Sequence, residues 1–116
     1  MISDVIAFIF APKELVLYSF NKIIVKKGAS VQDNTVVHCL QEGQTVIGEN
    51  AVIGHGAVLH NCTIGKDAVI GINSVVLDHA RVGEKAVIGA GSVVTNKMEI
   101  PAGHLAIGSP AQVKKK

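Results

Sequence analysis

Residues 53–64 read I-G-H-G-A-V-L-H-N-C-T-I, which sets His55 and His60 five positions apart; a third imidazole, His38, stands 22 before His60. Neutral imidazole binds zinc at ~2.0–2.1 Å. A single histidine in such a stretch reads as a solvated turn residue. Three with related spacing point to a shared centre, provided the elements carrying them bring the rings together. His79 and His104 fall outside this spacing and read as surface residues. Cys39 and Cys62 lie 23 apart with no C-x-x-C, so neither a disulfide framework nor a thiolate metal site is suggested.

The elements follow from a repeat of six. An aliphatic residue recurs at Ile47, Ile53, Leu59, Ile64, Ile70, Val76, Val82, Ile88, Val94 and Ile100. The residue two before it is small, as at Ala51, Ala57, Cys62, Ala68, Ser74, Ala80, Ala86 and Ser92. The step is broken once, by five residues between Leu59 and Ile64. Val25, Val31 and Val37 keep the same step, and ten residues then separate Val37 from Ile47, which leaves room for a four-residue loop. A helix puts residues i and i+6 on opposing faces, so the period excludes one. Each six reads instead as a short strand with one aliphatic and one small residue inward, followed by a turn of Gly, Asn or Asp. Strands this short cannot hold a core alone and must stack, three to a coil of eighteen residues. Small inward residues also account for an aromatic content of only 3%.

The coil gives the histidines their register. His38 follows the inward Val37 and His60 follows the inward Leu59. Their separation equals one coil plus the inserted loop, so the two occupy equivalent positions on successive coils, ~4.8 Å apart along the stack. Rings held that way can share one metal ion. His55 lies two after Ile53, on the preceding face, and should point to another corner. It can join the pair only from a neighbouring chain, as in parallel prisms packed about a threefold axis. The expectation is a homotrimer with equivalent sites between subunits.

Runs of [LIV]-G-x-x-[AST]-x resemble the left-handed parallel β-helix of hexapeptide-repeat proteins, an exception to right-handed crossovers. The resemblance covers roughly residues 21 to 113. It implies an all-β chain: an apolar segment over 1–20, strand or cap of the β-helix; the β-helix over 21–113; and a basic tail over 114–116. Both ends are shortened relative to the family, and an uncapped β-helix end is a sticky edge that apolar residues must cover. V-V-H (36–38), I-G-H-G-A (53–57) and V-L-H-N-C-T-I-G (58–65) further resemble the three zinc-ligand segments of γ-class carbonic anhydrases. That resemblance implies His38 and His60 as ligands from one chain and His55 from the next. S-V-Q-D-N (30–34) is similar to the family's N-I-Q-D stretch. It implies Gln32 as the catalytic glutamine near the metal-bound water and Asp33 as an interface support. Leu17, Tyr18 and Ser19 stand where that family has Arg-Gly-Asp, so both charges are replaced.

The implied activity is reversible hydration of CO2 to bicarbonate by hydroxide at a zinc ion, a zinc-dependent lyase reaction, with Fe2+ or Co2+ as other possible metals. Glu42, in the loop after His38, reads as a solvated acid rather than a proton shuttle. Two alternatives stay open. Residues 90–111 resemble the ends of hexapeptide acyltransferases, which use acetyl- or acyl-CoA. The β-helix can also serve as a non-catalytic structural subunit. The bounds are otherwise plain. A formal net charge of +2 over 116 residues gives no reason to expect nucleic acid. No run reaches the ~18 apolar residues of a membrane span, and no basic region precedes the apolar start as in a signal peptide. A cytoplasmic protein is expected.

Overall fold

The computed structural model describes residues 4–6 and 9–114, the first three by backbone alone. Residues 1–3, 7 and 8 of the apolar segment, and 115 and 116 of the basic tail, lie outside the described residues. The described residues form eighteen strands and no helix. Accordingly none holds a helix long and apolar enough to cross a membrane.

The strands fall into three sheets, the three faces of a triangular prism. The first face runs β1 (Asp4–Ile6), β6 (Thr35–His38), β9 (Val58–His60), β12 (Val75–Val76) and β15 (Val93–Val94). The second runs β3 (Leu15–Tyr18), β4 (Lys22–Val25), β7 (Thr45–Ile47), β10 (Thr63–Ile64), β13 (Arg81–Val82) and β16 (Glu99–Ile100). The third runs β2 (Ile9–Phe10), β5 (Ser30–Val31), β8 (Val52–Ile53), β11 (Val69–Ile70), β14 (Val87–Ile88), β17 (Leu105–Gly108) and β18 (Ala111–Lys114). From β4 to β17 the chain visits the faces in fixed rotation, and strands of successive coils pair in parallel. This is the left-handed β-helix with its hexapeptide period.

The core is the repeat seen in cross-section. Every inward aliphatic from Val25 to Ile100 is buried, at 2% exposure or less. The small positions Ala51, Ala57, Cys62, Ala68, Ala80 and Ala86 are buried beside them, and Ser74 and Ser92 join them. Each aliphatic so buried contributes roughly 1.5–3 kcal/mol. The hydroxyls are satisfied: Ser74 donates to the Gly89 carbonyl at 2.9 Å and Thr35 to that of Gly54 at 3.1 Å. Turns need one left-handed residue each. Asn34, Asn50, Asn61, Asp67, Asn73, His79, Lys85 and Lys97 take positive φ there. Asn and Asp tolerate that region because their short side chains bond locally.

The residues before Asn21 add three strands of opposite sense. β1, β2 and β3 pair antiparallel with β6, β5 and β4, one on each face. The chain thus circles the prism once in reverse, turns at Ser19–Asn21, and then begins the parallel coils. At the other end β17 and β18 form an antiparallel hairpin on the third face.

Candidate functional site at one corner of the prism

His38 ends β6 and His60 ends β9, and the two are paired directly across the parallel sheet. Their ring centroids are 4.8 Å apart and tilted by 32°. The coil register therefore brings these two imidazoles together at the corner between the first and second faces. Backbone contacts hold the first of them in place. The His38 carbonyl accepts from the Asn61 N–H at 2.9 Å and from the buried Thr45 hydroxyl at 2.6 Å. The second contact ties β7 to β6 across the four-residue insertion. The loop itself is pinned by Asn21, whose side-chain amide donates to the Gln41 carbonyl at 3.1 Å.

Both rings have Nδ1 in contact with a polar partner. The Asp78 carboxylate accepts from Nδ1–H of His60. A carboxylate can only accept, so this contact fixes the His60 tautomer and leaves its Nε2 lone pair for a proton or a metal. Ser19 Oγ lies 2.9 Å from Nδ1 of His38. Phe20 meets the His38 ring edge-on, with centroids 6.0 Å apart. His38 is only 7% exposed, while His60 is half-buried. Just beyond, burial pushes the Cys62 thiol up to about 12; a backbone hydrogen bond at His60 lowers it, and the Asp78 charge adds to the rise. Cys62 and Cys39 are both free and buried. Cys62 is a core residue, with no thiolate to offer the site.

His55 stands elsewhere. It is exposed in the turn between β8 and β9, at the corner where the third face meets the first. His55 lies in the turn before β9 and His60 at its end, so β9 separates the two along the first face. Among the described residues no three of His, Cys, Asp and Glu converge on one point. Gln32 and Asp33 share the His55 corner, one coil away. Gln32 N–H donates to the Ile53 carbonyl at 3.0 Å, and the Asp33 carbonyl accepts from Gly56 N–H at 3.1 Å. Gln32 is half-buried and Asp33 exposed. Glu42 is exposed in its loop, His79 is exposed at a left-handed turn position, and His104 is half-exposed.

Two residues of this corner escaped the sequence reading. Asp78 lies eighteen after His60, one coil on, and that spacing alone could have nominated it. Ser19 occupies the position where the Asp of an Arg-Gly-Asp was sought, and it touches His38 without a charge.

Residues 61–96 match the family described as bacterial transferase hexapeptide (six repeats). The carnitine operon protein CaiE of Escherichia coli O157:H7 is 48% identical over 59 residues, which are 51% of this chain and 30% of that protein. Among solved structures, a Bacillus cereus protein named as a candidate acetyltransferase superposes with a TM-score of 0.76 at 39% identity, over 79% of this chain and 55% of that one. A hexapeptide transferase family protein from Anaplasma phagocytophilum gives 0.71 at 41% identity, over 75% and 51%. The chain thus spans about a third of the curated relative and about half of each solved structure. Period and coil geometry make the chain a left-handed β-helix of hexapeptide repeats, and over residues 61–96 it is similar to the bacterial transferase hexapeptide family.

Proposed function

We propose that the His38–His60–Asp78 corner is a catalytic site of the hexapeptide-transferase type, acting on an acyl thioester such as acetyl-CoA. The observation that carries this reading is the Asp78–His60 contact. It leaves Nε2 of His60 as a base beside a second, buried imidazole. The acyltransferase alternative is also the one the likenesses favour over CO2 hydration, since the solved structures of highest identity given above are named as transferases. In the proposed step His60 Nε2 removes the proton from an acceptor hydroxyl or amine. The acceptor attacks the thioester carbonyl, the C–S bond breaks, and the proton passes to the departing thiolate. Asp78 holds the ring and offsets the positive charge that His60 carries meanwhile. His38 stays beside it to orient the acceptor.

A second reading keeps the metal. The register of His38 and His60 suits two ligands of one divalent ion, with both Nδ1 atoms already engaged. The donor set is completed only by His55 of a second copy, which would bring Gln32 with it from the same corner. When bound, zinc, iron or cobalt supplies activation of water for attack on CO2. Either chemistry is served by a homotrimer in which the His55 corner of one copy meets the His38–His60 corner of the next. The first face would then look towards the threefold axis, with its outward ladder of Val36, Val58, Val75 and Val93.

The test is thiol release from acetyl-CoA with a panel of amine and hydroxyl acceptors, run beside elemental analysis of the same preparation. Acceptor-dependent release that is lost in His60→Ala supports acyl transfer. About one metal per chain, lost in His55→Ala and accompanied by CO2 hydration, would move the assignment to the second reading. Neither signal would leave the β-helix as a structural subunit.

A further inference from the structure

We infer that Ser19, carried in by the reversed first coil, is the positioning residue of His38 and sets its tautomer. The inference rests on the proposed use of the His38–His60 pair and deepens it. His38 is nine-tenths buried, and a buried ring nitrogen needs a hydrogen-bond partner to replace the water it has lost. Nδ1 has its partner in Ser19 Oγ at 2.9 Å. A hydroxyl can donate or accept, so the contact alone does not fix the proton. The neighbouring ring indicates its direction. Asp78 fixes His60 with hydrogen on Nδ1 and a bare Nε2, and the two rings are in register at 4.8 Å. For both rings to present lone pairs to one ligand or one acceptor, His38 must also carry its hydrogen on Nδ1, with Ser19 Oγ as acceptor.

The geometry that delivers Ser19 is specific. Tyr18 pairs with Lys22 across the β3–β4 hairpin, and Ser19 N–H donates to the Asn21 carbonyl at 2.9 Å, closing the turn. Asn21 then reaches the loop after His38 through Gln41. The hairpin tip is thereby tied on both sides of His38, and Phe20, though itself 52% exposed, makes a T-shaped contact with the imidazole. The reversed coil thus does more than close the end of the prism. It supplies one neutral Nδ1 partner where the next coil supplies a charged one, so the two rings share an orientation but differ in electrostatic support.

The experiment is two-bond 1H–15N correlation spectroscopy of the imidazoles, on the protein without metal or substrate, at a pH where both rings are neutral. The wild type is expected to show His38 and His60 both as Nδ1–H tautomers. Ser19→Ala should shift His38 towards the Nε2–H form that free imidazole favours in water, leave His60 unchanged, and lower acyl transfer or metal affinity by about 10–100-fold. Ser19→Thr should restore the His38 signature. A wild-type His38 found as Nε2–H, or a His38 tautomer indifferent to Ser19→Ala, overturns the proposal. Because the tautomer is read with nothing bound, that failure is distinct from failure of the acyl-transfer or metal reading.

Discussion

Asp78→Asn separates what the His60 contact contributes to folding from what it contributes to chemistry. The substitution keeps the shape and an acceptor oxygen but removes the charge. The paired side chains are 31% and 26% exposed, so water screens the interaction. Such a pair is worth no more than about 1 kcal/mol to stability. The melting temperature should therefore fall by only a few degrees. The functional loss should be larger, because the charge acts when His60 holds a proton or a metal. Removing such a partner typically costs about 10–100-fold, or roughly 1.4–2.7 kcal/mol. Asp78→Ala, which also removes the acceptor, should lose at least as much. Thermal unfolding by circular dichroism and thiol release from acetyl-CoA, measured on one preparation, give both numbers. An Asp78→Asn protein within twofold of wild-type rate would refute the reasoning. So would a stability loss that matches or exceeds the functional one.

Further expectations concern the scaffold and its assembly. A Cβ added at Gly71 would sit 2.5 Å from the Ala90 nitrogen and 2.7 Å from the Ile88 oxygen, all backbone, so Gly71→Ala should cost about 3 kcal/mol or more in urea unfolding. Gly91 has nothing within 4 Å and only its φ of +70° to lose, so Gly91→Ala should cost about 1–2 kcal/mol, and the reverse order would contradict the coil spacing. Folded Cys62 should resist iodoacetamide at pH 8.5. Its thiol holds its proton to about 12 while the unfolded thiol ionises near 9.0, so stability should fall by about 1.4 kcal/mol per pH unit through that window. Ile72, 49% exposed in the same column as His55, should lie at the proposed seam between copies. Ile72→Asp should then lower the assembled mass in sedimentation, whereas a wild-type monomer would dismiss the trimer.

The period of six was legible because it is a burial code. Two positions in six face inward, one small and one aliphatic, and the aliphatic one is buried at every repeat from Val25 to Ile100. The His38–His60 pair was legible for the same reason: counting coils is enough to align two residues across a parallel sheet. The reversed coil was not. Its strands, such as L-V-L-Y, carry no hexapeptide period, and they run against strands that follow them by a variable distance. Direction of pairing is set there by one turn at Ser19–Asn21, whose effect is felt on all three faces. Asp78 went unnoticed for a different reason. It looks like one more polar turn residue, and only its placement beside a ring of the preceding coil gives it a role.

The loop at 39–44 has an evolutionary consequence rooted in chain entropy. The later coils close over 18 residues, as Ile64 does with Val82, while His38 and His60 close over 22. Closure cost grows as (3/2)RT ln n, so the four extra residues cost only about 0.2 kcal/mol, and a dozen more would add about 0.4. A solenoid pays almost nothing to lengthen such an excursion, because the coils above and below keep their register. This excursion leaves the stack immediately after His38, at the edge of the proposed catalytic corner. New acceptor-recognising sequence can therefore be inserted there nearly free of thermodynamic penalty, leaving the paired imidazoles where they are.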